Sequence, residues 1–136
     1  MYTKQLLPIV FVLVLSAFCS SVYAQVSATQ IKNELAGKEW KITKYETFGV
    51  VDQPTPAQLH DKIVLNTDMT FLIVENGIEY KGKWSILNPA EYIQCKAPAQ
   101  SWDKTYKIIS IGEKASVLEY KDPVLIKTKY YLSPVE

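Results

Sequence analysis

In the stretch GIEYKGKWSI, residues 77–86, the chain changes character at every second residue. Ile78, Tyr80, Gly82, Trp84 and Ile86 fall on one side, and Glu79, Lys81, Lys83 and Ser85 on the other. A period of two places successive side chains on opposite faces of a strand, so one face is dry and the other wet. The same split recurs in ASVLEYK (115–121), where Leu118 and Tyr120 oppose Val117, Glu119 and Lys121. It recurs in VLIKTKYYL (124–132), where Val124, Ile126, Thr128, Tyr130 and Leu132 oppose Leu125, Lys127, Lys129 and Tyr131. An antiparallel sheet with one buried face reads this way.

The chain carries this pattern almost throughout. After a short helix predicted in SATQIKNELAGK, with Ser27 or Thr29 as cap and Gly37 as stop, eight strands are expected. They cover 39–48, 62–66, 70–76, 78–87, 91–96, 104–111, 115–121 and 124–132. Residues 49–61 read as irregular because Pro54 and Pro56 forbid a central strand, and 97–103 reads as a loop containing Trp102. Eight short strands in about 112 residues leave exposed edges unless the sheet closes on itself. The expected fold is therefore all-β: an eight-stranded antiparallel up-and-down barrel preceded by one short helix.

The first residues stand apart. MYTKQLLPIVFVLVLSAFCSSVYA has one charge, Lys4, an apolar run from Leu6 to Phe18, and Val22-Tyr23-Ala24 at its end. This is the pattern of a secretory signal peptide cut after Ala24, leaving 25–136 as one exported domain, periplasmic or extracellular. The run is shorter than the about 20 residues of a spanning helix, which argues against an uncleaved anchor. Phe18 before Cys19, where lipoprotein signals place Gly or Ala, argues against acylation of Cys19.

Charge narrows the functional classes. Beyond the signal the chain has balanced lysines and acidic residues and no arginine at all. Nucleic-acid binding and a basic membrane-binding face are not expected of such a domain. No catalytic constellation is visible. His60 is the sole histidine and lacks a metal-spaced partner, and Cys95 is the lone cysteine beyond the signal. Glycine-rich phosphate loops and the Gly-x-Ser-x-Gly elbow are absent. Glu46, Glu75 and Asp103 fall at strand ends or in loops, where solvated carboxylates are ordinary. No enzyme, metal or cofactor is expected.

LAGKEWKI (35–42), IVLNTDMTFLI (63–73), YKGKWSI (80–86) and YYLSP (130–134) together resemble the lipocalin-like domains exported by Bacteroidetes, within the wider lipocalin and fatty-acid-binding barrel group. The resemblance implies non-catalytic binding of small, often apolar molecules. Parity points Phe71, Tyr80, Trp84, Tyr106, Tyr120 and Tyr130 inward as the candidate ligand lining, but does not decide between a cavity and a filled core. Trp40 reads as a plug beside the helix. Lys44 and Glu46 share its parity and would face inward, unless they are solvated at the rim or a bulge resets the strand. The first expectation is a monomer that holds a small apolar or amphipathic ligand inside the barrel. The alternative is an inhibitor-like barrel with a filled core. It would bind an envelope protein through Trp102 and the Pro54–His60 loop, with Trp102 otherwise folding back as a lid.

Overall fold

The alternation closes into a barrel. A computed structural model of the chain describes residues 26–136 except Asn88, so the expected signal segment lies outside the described residues. The Ser27 hydroxyl accepts from the Gln30 amide and starts a helix at Ala28–Gln30, which continues as a π-helical turn over Ile31–Leu35. Nine strands follow: β1 (Lys38–Thr47), β2 (Val50–Asp52), β3 (Lys62–Leu65), β4 (Thr70–Glu75), β5 (Ile78–Leu87), β6 (Tyr92–Ala97), β7 (Trp102–Ser110), β8 (Ser116–Lys121) and β9 (Lys127–Pro134). All pairings are antiparallel, and each joins strands adjacent in sequence except β1 with β3, which steps over β2, and β1 with β9. The closed barrel has eight strands because β2 and β3 share one edge of β1. Tyr45–Thr47 pairs with Val50–Asp52, and Lys38–Lys41 with Lys62–Leu65.

One end of the barrel is plugged. Ile31 and Leu35 are fully buried, and the Trp40 indole donates to the Leu35 carbonyl at 2.8 Å. The Trp84 indole donates to the Asn66 carbonyl at 2.9 Å in the same half. Burying each such ring contributes on the order of 2–3 kcal/mol, and the hydrogen bond keeps the ring nitrogen satisfied. Ile63, Leu65, Ile73, Ile93, Cys95, Leu118 and Leu132 complete the core.

Several sequence expectations change. Residues 50–52 form a strand that folds back on β1, since the prolines of the 49–61 segment begin only at Pro54. Trp102 is not in a loop: Ser101, at φ +51°, ends a short turn over Pro98–Gln100, and Trp102 opens β7. The last strand starts at Lys127. The Asp122 carboxylate accepts from the Val124 and Ile126 amides at 3.0 and 2.8 Å, holding a tight loop that leaves Val124 73% exposed rather than inside. Ile78, at the first position of β5, is also exposed. A bulge between Ile42 and Lys44 resets β1, so Tyr45 rather than Lys44 turns inward. Glu46 faces the outer side, 3.5 Å from Lys129 and accepting from the Tyr131 hydroxyl at 3.0 Å.

Gly82 lies where β6 presses on β5. A Cβ there would overlap the Lys96 carbonyl oxygen and stand 3.0 Å from the Ala97 Cα, both backbone atoms that cannot swing aside. Gly82→Ala is therefore expected to cost about 3 kcal/mol. Urea unfolding monitored by tryptophan fluorescence checks this.

Candidate functional site

The barrel is open at the end away from the helix, and the side chains change character there. Inward positions on β4 run Phe71, Ile73, Glu75, and on β7 run Ile108, Tyr106, Lys104, Trp102. Going toward the mouth, both strands pass from apolar and aromatic residues to a charged one, Glu75 on β4 and Lys104 on β7. Lys104 and Glu75 form an ion pair, with the lysine side chain only 12% exposed. The Lys104 ammonium also lies 4.4 Å from the Tyr120 ring centroid and 5.9 Å from those of Trp102 and Tyr130. A carboxylate and ring faces together hold a cation that has lost much of its water.

Beside this pair sits Asp61, 2% exposed. Thr55 and Gln58 form a reciprocal capping box around the turn Pro56–Gln58, and the Asp61 amide donates to the Gln58 carbonyl at 3.0 Å. That turn carries Asp61 under the mouth. The Tyr45 hydroxyl donates to Asp61 Oδ2 at 2.8 Å, while Oδ1 meets no hydrogen-bond geometry. Burial, the largest influence, raises the Asp61 carboxyl above its ordinary value, and the charge of Glu75 adds to this. The Tyr45 hydroxyl and the amides of Gly77 and Asn76 pull the other way. Burial and the Asp61 bond likewise push the Tyr45 phenol far up.

Tyr45, Thr47, Asp61, Glu75, Thr128 and Tyr130 surround an open cleft of about 490 Å³, closed on its outer side by Asp52, Gln53 and the capping-box turn. Tyr45 meets Tyr130 edge-on with centroids 5.6 Å apart, and Tyr130 meets Tyr106 edge-on at 5.9 Å. The Thr47 and Thr128 hydroxyls are 3.1 Å apart across the β1–β9 seam. His60 lies instead in a shallow groove on the outer surface with Glu39, Lys62 and Val135.

The residues expected to line a pocket separate into two groups. Phe71, Trp84 and Tyr106 are buried in the packed interior. Tyr130 is buried with one side on the cleft, and Tyr120 is half-buried over Lys104. Tyr80 is half-buried under Trp102, which stacks on it at 4.6 Å and 15° and also meets Phe71 at 5.7 Å. Trp102 thus folds onto the barrel as a lid. Two charged members, Lys104 and Asp61, escaped the sequence reading, and Glu75 was read there as a solvated strand-end carboxylate. Lys104 shares parity with Tyr106, and Glu75 with Phe71 and Ile73, so continuing the alternation reaches both. Asp61 has no such signal.

Cys95 is fully buried, and its thiol is pushed up to about 12, chiefly by burial. It lies opposite Lys104 in the β6–β7 register. Searches against protein-family models, curated proteins and solved structures found no match. The class is set by architecture: a closed antiparallel barrel with a filled interior and an acidic, tyrosine-walled mouth.

Two outcomes follow from this geometry. The folded state holds the Asp61 proton more tightly than the unfolded chain does. The resulting stability is full below the ordinary value of 3.8 and is lost as pH rises through the higher folded value. Asp61→Asn keeps an acceptor for Tyr45, and is expected to remove that falling limb and raise stability at neutral pH by about 1 kcal/mol. Urea titrations across pH check it. Lys104→Met leaves Glu75 unpaired. It is expected to cost about 2 kcal/mol, less than a fully buried pair because Glu75 keeps some solvent, and Glu75→Gln in the same chain is expected to restore most of the loss. A double-mutant cycle measures this.

Proposed function

We propose that the protein is an exported, non-catalytic, lipocalin-like binding protein whose small-molecule site is the mouth of the barrel rather than its depth. The observation that carries this reading is the cleft of about 490 Å³ at the open end, walled by tyrosines and lined with carboxylates, above a core of contacting rings. A concave site with aromatic walls and a few polar anchors suits a small amphipathic ligand. Export is supported by the sequence of residues 1–24, and no helix among the described residues is long and apolar enough to cross a membrane. The non-catalytic reading rests on the sequence, which offers no nucleophile paired with a base.

A second reading, a protein-binding barrel, is favoured by the rim. Phe48 at 81% exposure, Val50 and Val51 on β2, and Val124 and Leu125 in the β8–β9 loop are exposed apolar residues at the open end. Apolar loop tips around one opening suit contact with an envelope protein.

Titration with the neutral fluorescent probe N-phenyl-1-naphthylamine tests the first reading. Saturable uptake is expected, weakened at least about tenfold by Thr128→Trp, which fills the cleft from the barrel seam. The unfolding midpoint is expected to hold. Folded protein that takes up no probe overturns the reading. Capture of an envelope protein, abolished by Phe48→Ser with Leu125→Ser while probe uptake persists, favours the second.

A further inference from the structure

The cleft lining contains three carboxylates, Asp52, Asp61 and Glu75, and no lysine. Glu75 is paired with Lys104, so Asp52 and Asp61 make the local excess of negative charge in a chain that is otherwise balanced. A cluster of acids on a surface is ordinarily just solvated, but two features separate this one. Asp61 is almost wholly buried and lines the cleft; its Oδ2 takes the Tyr45 hydroxyl, while its Oδ1 makes no bond of full geometry although the Asn76 and Gly77 amides lie near the carboxyl. A buried carboxylate oxygen left without a donor is costly, and a donor arriving from the cleft would satisfy it. The second feature is Lys104. The barrel already holds one ammonium at this level, against Glu75 and the faces of Tyr120, Trp102 and Tyr130. The same materials continue into the cleft, where Tyr130 shares one face with Lys104, and among the described residues no lysine ammonium stands over Tyr45 or pairs with Asp61.

An organic ammonium suits the cleft better than a metal ion. Among the described residues, no three of His, Cys, Asp and Glu converge at metal-binding distance, whereas ring faces are present and attract ammonium groups. The rim indicates the rest of the molecule. Register places Val50 opposite Thr47, on the face that continues the cleft wall, and Phe48 stands exposed at the hairpin tip between them. A ligand with its charge at the carboxylates would leave its apolar body against this hairpin.

We infer that the mouth selects amines: small molecules with a primary or quaternary ammonium group and an apolar body, entering charge first toward Asp61 and Glu75. This rests on the reading of the mouth as the binding site and adds the sign of the ligand's charge. It sets a polar head inward and an apolar body at the rim.

The test compares two probes of like size and opposite charge, 2-phenylethylammonium and phenylacetate, on the full protein at neutral pH. Displacement of N-phenyl-1-naphthylamine and amide chemical-shift changes around Tyr45, Thr47 and Thr128 are the readouts. The amine is expected to bind at least about tenfold tighter than the carboxylate. That preference is expected to shrink with added salt, and in Asp61→Asn and Glu75→Gln proteins that still take up the neutral probe. The wild-type comparison stands even where a variant fails to fold. Equal binding, or tighter binding of phenylacetate, overturns the inference while the mouth reading survives. Failure of the neutral probe and of both charged probes overturns the two together.

Discussion

An eight-stranded closed sheet encloses an interior of nearly fixed width, just enough for its own side chains or one small guest. Everything else in this protein follows from how that width is used. Trp40, Trp84, Phe71 and Tyr106 are too large to leave a guest room beside them, and the helix stops one end with Ile31 and Leu35. The backbone concedes space where rings need it. Gly82 has no side chain because β6 crosses its inner side, and Trp102 settles over Tyr80 and Phe71 in the same half of the barrel. Since the depth is occupied, the open space lies at the mouth, where strands diverge into loops.

The mouth is also where the fold accepts its least favourable burial. Removing an ammonium and a carboxylate from water is expensive, and their attraction compensates only with good geometry and added contacts. Lys104 and Glu75 have both, through three ring faces and a near-exclusion of solvent from the lysine. Asp61 does not, since one of its oxygens goes unmatched. A chain selected for stability alone could place an apolar residue there. Burial and the neighbouring Glu75 charge disfavour the ionised form of Asp61, while the Tyr45 hydroxyl and the Asn76 and Gly77 amides offset part of this.

Much of the barrel was legible in the sequence because alternation is local. Each strand announces its two faces, and the helix with its Ser27 cap and Gly37 stop was readable from a few residues. What escaped depends on single backbone events. One left-handed residue at Ser101 turns a loop into the start of a strand, and the Asp122 carboxylate delays the last strand by three residues, whereas the bulge after Ile42 that exchanges Lys44 for Tyr45 was one of the outcomes the sequence left open. At the site, the six aromatic positions were visible by parity, yet Lys104 and Glu75 on the same faces were passed over because a charge at a strand end reads as solvated. Asp61 was out of reach, since its burial is made by a capping-box turn packing against strands distant in sequence.

The seam between β1 and β9 has a consequence for the order in which the protein can form. Trp40 pairs with Pro134 and Thr47 with Thr128, so the closing contacts join segments on the order of 80–95 residues apart. Every other ladder joins strands close along the chain, β1 and β3 being separated only by β2 and its turn, but this one waits for β9. Until Lys127–Pro134 has left the ribosome, one full edge of β1 is a bare row of donors and acceptors, the part of a sheet most prone to pairing with a stranger. A chain that lingers in that state is at greatest risk of aggregation, and the last eight residues of strand decide whether it escapes.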